Sequence, residues 1–458
     1  MNSFKKYSNP LLVIICLLLY FYFSYFLERT EFNTLIFLWC SLFAGSYILW
    51  KRNLDNFQFL ASASLLFRLV FLFAIPNLSQ DFYRFIWDGR MIFEGLNPYL
   101  SLPETFIEQR NYPIHQAVEL YEGMGAMNGS HYTNYPPINQ LCFFIAALFS
   151  SKSILGSVIV LRALIIFADF GILYFGKKLL EKLNLPVHSI FLYMLNPFII
   201  IELTGNLHFE SVMLFFLIWS LYLLSQRKWI LSAILLACSV SVKLIPLLFL
   251  PLFFQWFVNN KSSLFSGLKQ LVGFYTLTLL TILLFFVPFF SPTLIDNYAN
   301  SVGLWFRNFE FNASFYYIAR EIGYLFRGYN EIAIIGKIAP VLTVIFLLVL
   351  TFFRKNKSFT ELITAMLFGL SFYYFTTTTM HPWYIATLLI LSVFTKYRFP
   401  VIWSLVIILS YQAYANTPWK ENLWFIVLEY VVVYGFMFWE LFSRKKQYSD
   451  ARDSLVTL

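Results

Sequence analysis

Charge is the property that this sequence has least of. Only 12% of its 458 residues are charged, against 59% that are hydrophobic. A soluble domain carries roughly twice that share of charged residues. The mean hydropathy is +0.67, and apolar runs near the ~20 residues that a bilayer-spanning helix needs recur from end to end. These numbers exclude an ordinary soluble protein and predict an all-α polytopic membrane protein.

Sequence signatures of metal, disulfide and nucleotide sites are also missing. The five histidines form no HExxH motif and no close pair, and there is no P-loop, Gly-rich dinucleotide turn or GxSxG. No cofactor is therefore predicted, and the sequence gives no support for a divalent metal ion. The cysteines lie in apolar segments, apart from one another and from any histidine, which argues against disulfides and thiolate sites: Cys16, Cys40, Cys142 and Cys238.

Lysine and arginine are unevenly distributed between the connections, and this bias predicts the topology. With a cytoplasmic N-terminus, nineteen of the 33 basic residues fall on one side of the membrane. Residues 77–136 lie on the other side and hold seven acids, three arginines and no lysine. The first apolar run lacks a small-residue cleavage site, so we expect a retained helix and not a signal peptide. Both termini are then cytoplasmic.

Fourteen apolar runs can be marked, which predicts about 12–14 transmembrane helices. The pattern closes only if residues 138–150 do not cross, and that segment fits a re-entrant or interfacial helix. Neither a tandem repeat nor a low-complexity linker is visible, so we expect one membrane domain over 1–458. Its large outer loops are 77–137, with juxtamembrane helices, and 291–330. The runs are 10–27, 34–50, 57–76, 156–175, 187–204, 209–224, 229–242, 245–258, 270–290, 331–353, 360–378, 383–396, 400–414 and 421–441.

The unusual polar and aromatic residues gather on the outer side in this topology. Ionisable groups at a membrane boundary are costly and are read as functional by default, so five separate segments converging there predict an outward-facing cavity. Trp383 and Tyr384 could instead be interfacial anchors, and His381 a solvated loop residue. The candidates are Asp81, Arg84, Asp88, Tyr135, His208, Glu210, Lys243, Arg307, Asn312, His381, Trp383 and Tyr384.

Three further charges lie inside apolar runs, at Arg68, Arg162 and Asp169. Arg162 and Asp169 are two helical turns apart on one face. We expect structural pairs here in preference to a proton path.

The outer set combines carboxylates, cations and aromatic rings. Aromatic faces suit sugar rings and prenyl chains, and a lysine serves phosphate as a point charge. A carboxylate near both can take a proton from an attacking hydroxyl. This chemistry indicates glycosyl transfer from a sugar carried on a lipid phosphate, which needs no nucleotide pocket.

The order of the outer motifs resembles a known superfamily. The succession "QDFYRFIWDGRMIFEGLNPY", "YPP", "NLHFE", "VKLIPLLFLP", "FEFNASFYY" and "HPWY" is similar to the GT-C integral-membrane glycosyltransferases. It is most like the polyprenyl-phosphate-mannose-dependent mannosyltransferases. The resemblance spans residues 79 to 384; each motif is short, and their order and shared sidedness carry it.

The resemblance implies roles for the outer residues. In that superfamily an acidic motif, often Asp-x-Asp, supplies the general base, and its second acid falls on Asp81. The first falls on Ser79, which weakens any metal-bridging role. Asp88 is the competitor and can equally brace the loop.

The resemblance further implies inversion, with Asp81 deprotonating the acceptor while polyprenyl phosphate departs. Lys243 would stabilise the leaving phosphate, with Arg84 or Arg307 helping. The side chains expected to line the sugar and acceptor site are Asp88, Tyr135, His208, Glu210, Asn312, His381, Trp383 and Tyr384.

Rival functions stay open at this point. A lipid-linked sugar flippase or transporter would also have many helices, although transporters place sites near the midplane and show repeated halves. A polysaccharide polymerase or ligase using diphosphate-linked glycans would share the outer loops and the cationic site. A structural scaffold would need neither Lys243 nor the acid-rich loop. We expect a bacterial cytoplasmic membrane with the active site outside; an endoplasmic reticulum membrane would present an equivalent face.

Overall fold

The described chain is built from helices and short connections. The computed structural model describes residues 2–259, 263–307 and 309–456, with side chains for 8–259, 263–303 and 309–443. Strand-like pairing in these ranges is limited to a parallel bridge between Phe311 and Thr379. The prediction of an all-α polytopic membrane protein is confirmed.

Every predicted apolar run coincides with a helix or a pair of short helices. Through residue 240 the helices are α1 (Asn2–Tyr25), α2 (Phe32–Arg52), α3 (Phe57–Leu69), α4 (Asp81–Phe93), α5 (Pro103–Glu108), α6 (Ala117–Gly129), α7 (Pro137–Ser150), α8 (Ile154–Lys182), α9 (Phe191–Met194), α10 (Glu210–Ser225) and α11 (Trp229–Val240). They are followed by α12 (Phe253–Asn259), α13 (Leu264–Phe286), α14 (Pro292–Arg307), α15 (Phe315–Arg327), α16 (Ile332–Phe352), α17 (Phe359–Thr376), α18 (Ile385–Val393), α19 (Phe399–Val406) and α20 (Leu423–Val456). A π-helix, Ile199–Gly205, and short 3-10 segments join them.

The lengths of these helices divide them into two groups. Among the described residues, six are long and apolar enough to cross a bilayer, and a seventh span results if the bent pair Val187–Met194 and Ile199–Gly205 counts as one. The shorter apolar helices have 10–17 residues. The predicted 12–14 crossings are reached only if most of these shorter helices also cross; they are Phe57–Leu69, Pro137–Ser150, Glu210–Ser225, Trp229–Val240, Ile245–Asn259, Pro382–Val393 and Phe399–Ala415.

Residues 77–137, the predicted first outer loop, are folded into helices that pack on the bundle. α4 is amphipathic and buries Phe85 and Trp87 against its neighbours. Phe85 stacks on Phe143 of α7, with ring centroids 4.6 Å apart. The two helices approach so closely at Gly89 that an added Cβ would lie 2.1 Å from the Phe143 carbonyl oxygen. A residue without a side chain is therefore required there.

Buried charges hold the spans together in the interior. Arg68 Nε donates to Asp169 Oδ2 at 2.7 Å, and both side chains are fully buried. Arg162 instead donates to backbone carbonyls, among them those of Ala74 at 2.7 Å and Gly205 at 2.8 Å. The charges are thus structural, as expected. Asp169, however, pairs with Arg68 on another helix and not with Arg162 on its own helix.

Candidate active site

A cavity of about 450 Å³ opens among the helix ends. Its walls come from the α1–α2 connection and from segments within 78–81, 127–136, 243–245, 302–309, 373–384 and 411–419. The charge pattern assigns all of these segments to the outer side, so separate connections do converge. Its polar, charged and aromatic lining includes Arg29, Gln80, Asp81, Asn128, Asn134, Tyr135, Lys243, Phe309, Tyr373, His381, Trp383, Tyr384, Tyr411, Tyr414 and Trp419.

Asp81 is the first residue of α4, and the segment before it is fixed by hydrogen bonds. The Leu78 backbone N–H donates to Asn206 Oδ1 at 2.9 Å, while its carbonyl accepts from Arg29 Nη1 at 3.2 Å. The Asp81 N–H donates to Ser79 Oγ at 3.3 Å. Asn206 is fully buried in the "NLHFE" motif. Residues outside α4 therefore determine where the Asp81 carboxylate enters the cavity.

The electrostatics around Asp81 oppose one another. Burial raises the pKa of the Asp81 carboxyl, and Lys243, the Asn128 side chain and Arg29 lower it. The carboxylate also lies at the positive end of the α4 dipole. A general base works best when its pKa is closer to the working pH. Of the lining residues that the structure describes, Asp81 is the only carboxylate.

Lys243 forms an ion pair at the edge of the cavity. Its Nζ lies 2.5 Å from Glu210 Oε1, and the side chains are 19% and 3% exposed. Glu210 is the first residue of α10 and lies behind the cavity lining. Its Oε2 has no hydrogen-bond partner within the described part of the chain. Glu210 therefore holds Lys243, whose ammonium keeps further donors for a ligand.

Three rings form a stack beside the cavity. The Trp383 ring lies between His208, at a centroid distance of 3.8 Å, and His381, at 4.6 Å. Trp383 and His381 line the cavity, whereas His208 is 1% exposed behind them. Burial and Lys243 lower the pKa of His381 to about 3, so its imidazole is neutral at ordinary pH. With both faces covered, Trp383 presents only its edge to a ligand.

Arg84 and Asp88 form a brace inside the outer loop. Asp88 is fully buried and accepts from Arg84 Nε at 2.8 Å and from Gln140 Nε2 at 2.9 Å. Arg84 Nη1 donates to the carbonyls of Asn128 and His131, at 2.7 and 2.8 Å. Neither residue lines the cavity. Both residues thus brace the loop, and their predicted contact with substrate stays a prediction.

Asn312 is also behind the lining, where it fastens the second outer loop to the last helix. Its backbone N–H donates to Glu421 Oε1 at 2.7 Å, and its Nδ2 lies 3.2 Å from Glu429 Oε1 on α20. Asn312 is fully buried. The Arg307 side chain, the other candidate from this loop, lies outside the described residues.

The structure thus sorts the predicted site residues into two groups. Asp81, Tyr135, Lys243, His381, Trp383 and Tyr384 line the cavity. Arg84, Asp88, His208, Glu210 and Asn312 lie behind it as buried supports.

The cavity is also lined by residues that were not among the predicted site residues: Arg29, Tyr373, Tyr411, Tyr414 and Trp419. Arg29 lies over the Tyr414 ring, 4.1 Å from its centroid. The signal was a basic residue in an outer connection, against the general bias, and the aromatic stretch "YQAYANTPW", which begins in the apolar run 400–414 and continues beyond it.

Comparison with known proteins identifies similar sequences. Residues 25–259 match the family described as alpha-(1->6)-mannopyranosyltransferase, N-terminal domain. Over 203 residues the chain is 23% identical to alpha-(1->6)-mannopyranosyltransferase A of Corynebacterium glutamicum. That match covers 43% of this chain and 39% of the relative, well under two thirds of the relative's length. The family match includes Asp81 and Lys243 but not the cavity residues beyond 259.

Proposed function

The chain belongs to the alpha-(1->6)-mannopyranosyltransferase family, and on that premise we propose that it transfers mannose from a polyprenyl-phosphate donor to a glycan or glycolipid acceptor. The proposed site is the cavity beside α4, on the extracytoplasmic face of a bacterial cell membrane. The resemblance to mannosyltransferases that the motif order predicted is confirmed by the family match.

A single carboxylate facing cations across one cavity is the observation that carries this proposal. In the proposed step, Asp81 accepts the proton of an acceptor hydroxyl, and the hydroxyl oxygen bonds to the anomeric carbon of the sugar. The bond between that carbon and the phosphate oxygen breaks, and polyprenyl phosphate leaves. One displacement inverts the anomeric centre, so a β-linked donor gives an α-linked product, in agreement with the family's description.

Lys243 is the proposed partner of the leaving phosphate. Preorganised charge aimed at a developing anion is usually the largest single contribution to such catalysis, and Glu210 holds the ammonium in place at 2.5 Å. Arg29 is a second cation of the described cavity lining, and we assign it this role in place of Arg84, because Arg84 does not line the cavity.

The rest of the lining suits the other parts of the donor. Leu244 and Ile245 give the cavity an apolar portion next to Lys243, and Val302 adds an apolar side chain to the lining; these side chains suit the first isoprene units of a polyprenyl chain. Tyr135 and Tyr384 also line the cavity, and we assign them to the sugar ring.

Donor dependence tests the proposal directly. Purified protein in lipid nanodiscs is supplied with polyprenyl-phosphate mannose and an α-(1→6)-linked mannotriose, and released polyprenyl phosphate and extended glycan are measured. We expect one lipid phosphate per transferred mannose, and none with Asp81→Asn. A parallel reaction supplies a diphosphate-linked glycan. Turnover with that donor alone would refute the proposal in favour of a polymerase or ligase.

The location of the site has a separate test. Cysteines introduced at Gln80 and Met127, which are exposed at the cavity, should react with a membrane-impermeant thiol reagent applied to the outside of intact cells. Labelling only after the cells are opened would refute the extracytoplasmic placement.

A further inference from the structure

Two tryptophans line the described cavity, and they offer a ligand different surfaces. Both faces of Trp383 are covered by imidazole rings. Trp419, by contrast, is 48% exposed, although it belongs to the same lining. Tyr414 has the Arg29 guanidinium over its ring. Trp419 is therefore the broad apolar ring that the cavity leaves open to a ligand.

Trp419 is held in place in spite of its exposure. Its loop is closed by a hydrogen bond from Asn416 Nδ2 to the Lys420 carbonyl, at 2.5 Å, and Gln412 Nε2 donates to Asn416 Oδ1 at 3.1 Å. The ring packs on Phe311, with centroids 6.2 Å apart. A ring fixed in this way loses little conformational entropy when a ligand covers it.

Phe311 fixes Trp419 relative to the catalytic part of the cavity. Phe311 is 1% exposed, and its backbone N–H donates to the Thr378 carbonyl at 3.2 Å. Its own carbonyl accepts from the Met380 N–H at 2.8 Å, immediately before His381. Phe311 thus contacts Trp419 on one side and is hydrogen-bonded on the other to the segment that leads to Trp383.

The exposed and half-buried residues of the cavity lining include several amides. Gln80 and Met127 are exposed there, and Asn128 and Asn134 are half-buried. A neutral hexose presents apolar C–H faces and a rim of hydroxyls, so an open aromatic ring and amides in one cavity lining fit it. A phosphate, in contrast, would bind to the Lys243 ammonium, beside Glu210.

From these contacts we propose that Trp419 is the platform for a neutral hexose ring of the acceptor glycan. The acceptor enters past Gln80, Met127 and Trp419, and its reactive hydroxyl reaches Asp81. This subsite rests on the proposed transferase activity for its role, while the sugar contact itself can be measured without turnover.

The alternative for an exposed outer tryptophan is membrane anchoring, and the chain offers a matched control. Trp424 lies five residues further on, at the start of α20, is 80% exposed and is absent from the cavity lining. An anchoring role would make Trp419→Ala and Trp424→Ala behave alike. A platform role affects only the first.

The experiment combines binding and kinetics in nanodiscs. Binding of a fluorescent α-(1→6)-linked mannotriose is followed by polarisation for wild type, Trp419→Ala, Trp419→Phe and Trp424→Ala. Transfer from polyprenyl-phosphate mannose is then measured while acceptor and donor are varied separately. For Trp419→Ala we expect the acceptor Kd and KM to rise about tenfold, as the loss of one large aromatic contact implies, with the donor KM and kcat unchanged. Trp419→Phe should recover most of the loss, and Trp424→Ala should match wild type.

Each result decides between the two proposals. Transfer with an unchanged acceptor KM in Trp419→Ala would overturn the platform and leave the activity standing. Trp419-dependent binding without transfer would retain the platform and refute the activity. Absence of mannotriose binding by wild type, or equal losses in the Trp419 and Trp424 variants, would overturn the platform.

Discussion

Two aspartates in one helix should respond in opposite ways to the same small change. Asp81 and Asp88 are seven residues apart in α4, but Asp81 faces the cavity and Asp88 is fully buried. Replacing each by asparagine preserves the shape, removes the negative charge and turns one acceptor oxygen into an NH2 donor. We expect Asp81→Asn to lower turnover by about a hundredfold or more in a stable protein, and Asp88→Asn to weaken the fold while turnover continues.

The expected magnitudes follow from the contacts. Asp88 accepts from Arg84 Nε at 2.8 Å and from Gln140 Nε2 at 2.9 Å. Its loss leaves a buried guanidinium without its counter-charge, which costs about 3–5 kcal/mol in comparable pairs. For Asp81, removal of a general base costs about 10²–10⁴ in rate. Because burial raises the pKa of the Asp81 carboxyl, the charged form is disfavoured, so neutralising it should leave stability unchanged or slightly higher.

Stability and turnover have to be measured on the same preparations. Thermal and denaturant-induced unfolding of nanodisc-reconstituted protein gives the free-energy difference. Initial rates of mannose transfer, divided by the folded fraction, give kcat for each variant. Asp88→Asn should keep kcat within several-fold of wild type after this correction.

The reverse pattern would refute the assignment. Full stability with no turnover in Asp88→Asn, together with a rate near wild type in Asp81→Asn, would make Asp88 the base. It would also show that the Arg84 brace is not needed for the fold.

Three other changes test separate parts of the structure. Activity should fall as the pH drops through the pKa of Asp81, because the base becomes protonated. Since Lys243 lowers the pKa of Asp81, Lys243→Met should move this acid limb of the kcat/KM profile to higher pH. An unchanged acid limb would contradict the coupling. Gly89→Ala should lower the free energy of unfolding by about 1–3 kcal/mol, because the added Cβ meets the backbone of α7. Gly435→Ala is the control: its added Cβ would have nothing within 4 Å, so the stability of the protein should not fall. Asp169→Asn should cost about 3–5 kcal/mol in the same unfolding assay, since its buried arginine partner at 2.7 Å loses its counter-charge; a change under 1 kcal/mol would show that the pair is dispensable.

Much of the fold could be predicted because each membrane helix is indicated by a continuous stretch of apolar residues. A run of about 20 apolar residues forms a helix wherever it lies, since lipid leaves the backbone few alternatives. Helix ends were less predictable. The run over 57–76 gives a helix that stops at Leu69, and the carbonyl of Ala74 beyond it is satisfied by Arg162, on a helix far along the chain.

Part of the site could also be predicted, because some of its residues stand out locally in the sequence. Asp81 and Lys243 stand out as charges in outer connections, and both line the cavity. The spacing of Arg84 and Asp88 is that of an i,i+4 pair, so a helical segment here predicts the ion pair between them. The contacts of Asn312 with Glu429, 117 residues away, leave no local signal. Only the tertiary structure separates lining residues from their supports.

The way the cavity is put together also bears on how the protein is made. Its lining begins at Arg29 and ends at Trp419, and Glu429 of α20 fastens the outer loop that carries Phe311. Chains are synthesised from the N-terminus and fold progressively as they emerge. The carboxylate of Asp81 therefore reaches the membrane long before the walls that would hold a substrate against it. A growing chain therefore has no complete cavity until the last helix has been inserted.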